Sequence, residues 1–261
     1  MTLKTENLSP GIIRFVNKKK FDDTCFTAEI VDMAAKGFIT ISVNSPEFTF
    51  VKTDKIASEK SLSSSQLIIY NHIFQNREEF TICRKNREKL YTIIFDLEKS
   101  MKDSLCFYHK LVKWKSLVVA TLILSAAGLF FTDFKEPAFF PGIAALFFIP
   151  FRRAVLTEKG LEIVKFADTL RTKLTGITSS SPDFSESLSM IIALDISSPD
   201  TSGFLPDWLF FSEFHGEDSL ANNMEKDKEE KAAYKNLPEY LKKNIGENLL
   251  FARFDRSRFA R

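Results

Sequence analysis

The stretch Trp114–Arg153, WKSLVVATLILSAAGLFFTDFKEPAFFPGIAALFFIPFRR, decides how the rest of the chain is read. No side chain from Ser116 to Thr132 carries a charge, and none does from Pro137 to Phe151. Asp133, Lys135 and Glu136 separate the two runs, and Pro137 stops a helix there. At a helical rise of about 1.5 Å per residue the runs extend roughly 25 Å and 22 Å. Both fall short of a hydrocarbon core about 30 Å thick. Flanking Lys and Arg side chains can snorkel to the headgroups and cover part of that shortfall. Lys113, Trp114 and Lys115 before the first run, and Arg152 and Arg153 after the second, are the candidate membrane-interface residues. Cations flank both outer ends, so the reading is a two-helix membrane hairpin at 114–153 with both termini cytoplasmic, in a multi-pass protein of the inner membrane. A buried helical hairpin inside a soluble protein is the competing reading, because both runs are short.

Working outward, the N-terminal side carries helix and strand signals in close succession. Ser9-Pro10 places an N-cap before a proline at the first helical position. Ile12, Ile13, Phe15 and Val16 give that helix its apolar face, and it runs out in Asn17–Lys20. Asp22 and Asp23 favour a second start. Phe26, Ile30, Met33 and Ala34 then recur at helical spacing. Gly37 fits the left-handed position that ends a helix. Phe38 to Val43 alternates as a strand, Asn44-Ser45-Pro46 is a turn, and Glu47 to Lys52 is a second strand. Two helices and a two-stranded wing outline a winged helix over 8–56, with Phe26, Ile30, Met33, Ile39, Ile41 and Phe48 in its core.

After the polar linker Ser58–Ser65 a second small helical unit, a winged-helix variant, is expected over 62–110. It has Leu67, Tyr70 and Phe74 on one helix, a short strand near Glu78–Ile82, and a long amphipathic helix. Leu90, Ile93, Ile94, Leu97, Met101 and Leu105 mark that last helix. Beyond the apolar stretch, 154–212 reads as a helical segment. Thr157 caps a helix striped by Ile163, Phe166, Leu170 and Leu174, and Asp183 with Glu186 suggests a capping box. Trp208–Phe211 is a short apolar patch, and 213–261 is expected to be a charged tail. The fold class is therefore mainly α with small β-wings, plus the hairpin.

Charge and motif content narrow the function. Lys and Arg number 36 against 34 Asp and Glu, a balance that gives no whole-chain reason to expect nucleic acid or an acidic substrate. The opening MTLKTENLSP lacks an apolar core, so no signal peptide is expected and the chain should begin in the cytoplasm. Cys25, Cys83 and Cys106 match no zinc or redox spacing and suit a reducing compartment. His72, His109 and His215 are scattered, and no phosphate loop, nucleophile elbow or His-Glu-x-x-His occurs. No catalytic, cofactor-binding or metal residue is assigned; neither a cofactor nor a small-molecule substrate is inferred, and the chain is read as a non-enzyme.

Winged helices often bind DNA, but a reading helix should be basic or amide-rich where it is exposed. Here it carries Asp22, Asp23, Glu29 and Asp32, which would repel phosphate. Those four acidic residues are the candidate docking positions for a basic protein surface. The functional expectation is a membrane-anchored cytoplasmic interaction module, its partners being membrane lipid and an unidentified protein. A membrane-tethered DNA-binding regulator is the alternative.

LSPGIIRFVNK, FTAEIVDMAAKGFITI and the following Phe-Thr-Phe strand together resemble the cytoplasmic part of a family of uncharacterised bacterial membrane proteins, domain of unknown function 2207. Met33, Ala34, Lys36, Gly37, Phe38 and Ile39 match its Leu-Ala-x-Lys/Arg-Gly-Tyr-Ile segment, and Thr157 and Gly160 match a Thr-x-x-Gly after its membrane hairpin. Its Leu-Pro-Tyr-Ala-x-Ala-Leu stretch survives as Leu188, Ala193 and Leu194, with Ser189 and Met190 in place of Pro and Tyr. The likeness spans roughly residues 8 to 212. It implies winged-helix-like units beside a membrane hairpin and brings no catalytic residues. Residues 1–7 and 213–261 are not expected to supply the family's outer domain or its Gly/Ser-rich C-terminus.

Overall fold

The computed structural model describes residues 8–44, 47–58, 61–111, 154–178, 181, 183–196, 204–211, 228, 230, 231, 233 and 235–253. The stretch 114–153 lies outside the described residues, and so do Lys113, Trp114, Lys115, Arg152 and Arg153. Among the described residues no helix is long and apolar enough to cross a membrane.

Helix α1 (Pro10–Lys18) opens on its proline as expected, and Ile13, Phe15 and Val16 are buried. Lys19 follows in the left-handed region at φ 55° and stops it. In α2 (Asp23–Ala35) the Asp22 carboxylate caps the first turn by accepting from Cys25 N. Gly37, at φ 75°, ends α2 with the two bonds of a Schellman motif. Gly37 N donates to Ala34 O at 2.8 Å and Phe38 N to Met33 O at 2.9 Å. The chain then reverses into β1 (Ile39–Asn44), which pairs antiparallel with β2 (Glu47–Lys52).

Helix α3 (Ser64–Phe74) begins with a full capping box between Ser63 and Gln66. Strand β3 (Glu79–Ile82) follows and pairs with β2, so the segment expected as a separate second unit shares a sheet with 8–56. Helix α4 (Arg87–Tyr108) buries Leu90, Ile93, Ile94, Leu97 and Met101, five of the six periodic residues. Strands β4 (His109–Leu111) and β5 (Ala154–Leu156) pair antiparallel, with Leu111 opposite Ala154.

Helix α5 (Glu158–Leu174) starts where Thr157 Oγ1 accepts from Gly160 N at 3.2 Å. It buries Ile163, Ala167 and Leu174, whereas Phe166 and Leu170 are half-buried. Helix α6 (Phe184–Ala193) forms as expected, but Asp183 makes no capping bond. The apolar patch near Trp208 is a strand, β6 (Leu209–Phe211), parallel to β1.

The expected charged tail needs a larger correction, because it contains α7 (Leu237–Arg253). Leu237, Leu241, Ile245 and Leu249 recur every four residues and each is fully buried. A stripe of that kind must be covered, and α7 packs on α2 and α6.

The architecture is helical with one four-stranded mixed sheet, ordered β3-β2-β1-β6. Its register aligns Leu209, Ile41, Phe50 and Phe80 as a continuous buried row across all four strands. Helix α2 is covered on every side: α1, α3, α6, α7 and β1 all pack on it, and each residue from Thr24 to Ala34 is buried. All six of the expected core residues, Phe26 to Phe48, are buried.

The chain divides into two units, Met1–Ser104 with Glu162–Arg261, and Leu105–Leu161. The first is assembled from both sides of the apolar stretch: β6, α6 and α7 come from after it, while β1 and α2 come from before it.

Candidate functional site

Helix α2 carries two acidic residues in its interior, and the structure buries both. Glu29 is fully buried and Asp32 is 7% exposed, which corrects the expectation that they form an acidic docking face. The reason lies in the rest of α2. Between Cys25 and Ala35 every other residue is apolar or Thr, so the helix is covered all round and its carboxylates go inside with it.

Buried charges need partners, and two sets of polar side chains supply them. Around Glu29, Ser9 Oγ and Ser65 Oγ both donate to Oε1, the latter at 2.9 Å. Ser9 thus sits at the N-cap of α1 but makes no capping bond; its hydroxyl is turned to Glu29. Glu29 Oε2 is buried and, among the described residues, has no hydrogen-bond partner. Burial pushes the Glu29 carboxyl up to about 7. The two hydroxyls pull against that, Asp32 adds to it, and Lys36 opposes it. Gly11 lies directly over this group, and a Cβ there would come within 2.5 Å of Glu29 Oε1.

Asp32 is bound on both oxygens. Gln66 Nε2 donates to Oδ2 at 2.6 Å, and Ser189 Oγ donates to Oδ1 at 3.0 Å. Lys36 Nζ sits 2.6 Å from Oδ2, one turn along the same helix. One carboxylate therefore ties α2 to α3 and, across 157 residues of sequence, to α6.

A second cluster gathers around Arg14. Its guanidinium grips Asp22 with two bonds, Nε to Oδ1 at 2.7 Å and Nη2 to Oδ2 at 2.6 Å. Its Nη1 donates to Ala193 O at 3.0 Å and pairs with Asp195 Oδ2 at the same distance. Lys18 and Lys242 also hold Asp195, at 3.0 Å and 2.8 Å. Burial pushes the Asp195 carboxyl up, yet Lys242, Lys18 and Arg14 outweigh it and keep it well below the usual carboxylate range. Asp195 adopts φ 49°, a conformation that costs a non-glycine residue energy, just past the end of α6. These five charges join α1, the start of α2, the end of α6 and α7.

Asp22 is thus a helix cap and an ion-pair partner, and Asp23 stands in the first turn of α2. The structure brings all four acidic candidates onto one helix but makes none of them an open surface. Arg14, Ser65, Gln66 and Ser189 complete the polar interior, and Asp195 and Lys242 pair at its solvent-facing edge. None is visible from local spacing except Gln66, whose place three residues after Ser63 signals a capping box.

The chemistry available to these groups is limited. Glu29 is sealed from solvent, so no outside molecule can reach it as a base. Burial also pushes the Cys25 thiol up, away from the thiolate that a nucleophile needs. Among the described residues no group of three or more His, Cys, Asp or Glu is placed to hold a metal ion. Depressions open on the surface of the described residues, two of them near the clusters above or on α3. One, of about 340 Å³, lies between α6 and α7 beside Asp195 and Lys242. The other, of about 400 Å³, lies beside Tyr70, His72 and Lys52.

The resemblance drawn over residues 8 to 212 rests on its motifs alone. Compared with models of protein families, with curated proteins and with solved structures, the chain matches none.

Proposed function

We propose that the chain is a membrane-anchored, non-catalytic interaction module. Its apolar stretch 114–153 is a hairpin anchor, and its folded unit presents a protein-docking surface on the cytoplasmic side. The observation that carries this reading is the pairing of β6 with β1. A sheet built from residues before and after the apolar stretch keeps both of its ends on one side of a bilayer, so the number of crossings is even. The antiparallel pairing of Leu111 with Ala154 supports the same topology, because the stretch then leaves and returns at one place. Two uncharged runs with cationic outer flanks suit two crossings or a re-entrant loop.

Docking through an acidic face of α2 loses its basis, because Glu29 and Asp32 are inside and Asp22 is held by Arg14; the surface available to a partner lies mainly on other elements. The tethered DNA-binding reading loses its support for the same reason. A helix that reads base edges must enter a groove, and α2 is covered on all sides.

Washing membranes with alkaline carbonate tests the anchor, with the full chain expected in the pellet. Release into the supernatant would favour the buried hairpin of a soluble protein. Reporter fusions at the two ends should both report the cytoplasmic side, and opposite sides would refute the even-crossing topology.

A further inference from the structure

The seam where α1 and α3 meet α2 is closed over a single carboxyl group. Glu29 projects from α2, Ser9 from the start of α1 and Ser65 from the first turn of α3. The two hydroxyls also lie 3.1 Å from each other, so three elements converge on one oxygen, Oε1. Oε2 has no hydrogen-bond partner, and Gly11 closes the space above the side chain.

An ionised carboxylate needs more than this. Its four lone-pair sites receive two donors here, both on one oxygen, in a place that water does not reach. The charges around it do not compensate. On its own helix Asp32 disfavours ionisation and Lys36, 45% exposed, favours it. From α1, Arg14 is committed to Asp22 and Asp195, and Lys18 to Asp195. From α3, His72 is turned to Asp96, 3.1 Å away. From α6, Ser189 serves Asp32, and from α7, Lys242 serves Asp195. Among the described residues no cation is positioned against Oε2.

We propose that Glu29 is a proton-operated latch, which holds α1 and α3 against α2 while protonated and loosens that seam when ionised. The sign follows from which state binds the proton more tightly. Burial raises the affinity of the folded form, to a midpoint of about 7, over the ordinary glutamate value of 4.5. The stabilisation is complete below that ordinary value and is lost as pH rises towards the folded midpoint. Across the neutral range a small rise in pH therefore weakens the attachment of α1 and α3. This gives the module a pH response near neutrality without any histidine in the site.

Hydrogen exchange on the full-length chain in detergent micelles tests the latch. Protection factors, corrected for the intrinsic pH dependence of exchange, are compared at pH 6 and pH 8 for amides of α1 and α3. One proton bound at such a midpoint predicts a fall of about tenfold between the two. Glu29→Gln, which has the same shape and does not titrate, should abolish the fall. An equal fall in that variant, or no fall in the unaltered chain, overturns the proposal. Ser65→Ala gives a second, independent reading should Glu29→Gln not fold. It removes a donor to the ionised form, so the midpoint should move to higher pH; a midpoint that stays or moves down overturns the latch.

Discussion

Replacing Gly11 by Ala tests the close approach of α1 to α2. The added Cβ would lie 2.5 Å from Glu29 Oε1, 2.7 Å from Glu29 Cγ and 2.8 Å from Cys25 O. Carbon atoms pack best at about 3.5–4.0 Å, so α1 would have to lift from α2 by roughly 1 Å. Neither neighbour can give way: Glu29 is fully buried, and Cys25 O belongs to the backbone of α2. Lifting α1 loosens Ile13, Phe15 and Val16, each at most 1% exposed, and stretches the Ser9 bond to Glu29. Overpacking of this kind costs about 1–3 kcal/mol. Against it stands the better helix propensity of Ala, about 0.8–1 kcal/mol in a helix interior and less in the first turn. The net expectation is a loss of about 1–2 kcal/mol. Urea unfolding of the full chain in micelles, followed by the far-ultraviolet signal, measures it as a lowered midpoint with an unchanged slope. Adding Glu29→Ala to Gly11→Ala should not restore stability, because the backbone contact with Cys25 O remains. A Gly11→Ala chain at least as stable as the original would refute the close packing of α1 on α2.

Other perturbations address other parts of the account. Ile245→Ala should destabilise the fold by about 2–5 kcal/mol if α7 is part of the core, and a loss under about 0.5 kcal/mol would return residues 237–253 to a surface tail. Asp195→Asn should flatten part of the acid limb of stability. The ion-paired carboxylate titrates below its ordinary 3.8, so its contribution is present above that value and is lost as pH falls. An unchanged acid limb in the variant would argue that Lys18, Lys242 and Arg14 do not hold Asp195. Glu29→Lys or Asp32→Lys should unfold the unit rather than alter binding, since either places an unpaired cation inside α2. Normal folding of both would put these positions back on the surface.

Sequence reasoning succeeded where one local cause decides the structure. Pro10, Asp22 and Gly37 each act within a turn, and each lands where its stereochemistry directs. The β1–β2 hairpin was legible for the same reason, as was α4 from its long run of periodic apolar residues. Strand β6 was not. Three residues, Leu209–Phe211, carry no period, and only pairing with β1, some 168 positions earlier in the chain, makes them a strand. Helix α7 was legible but hidden: its four-residue repeat from Leu237 to Leu249 stands between charged segments that invite a disordered reading.

The polar interior was the hardest part to read. A lone Glu on a helix is usually exposed, and what reverses the rule is the coverage of α2 by five other elements. The one local clue was the composition of α2, apolar on every face. The convergence of Ser9, Ser65, Gln66 and Ser189 on Glu29 and Asp32 is a property of the tertiary fold, and no spacing encodes it.

The central claim is that one folded unit is built from both sides of the apolar stretch. Cysteine pairs in intact cells test it most directly, with the native cysteines replaced by Ser. Ser42 on β1 and Phe210 on β6 are register partners on the partly exposed face of the sheet. A Ser42→Cys/Phe210→Cys chain treated with a short thiol cross-linker should yield the peptide joining the two strands by mass spectrometry. Thr49→Cys/Thr81→Cys, which joins β2 to β3 on the N-terminal side alone, is the positive control. The account predicts cross-links of similar yield from both pairs. Efficient cross-linking of the control pair with none between positions 42 and 210 would contradict it, because the two halves would then not share a sheet.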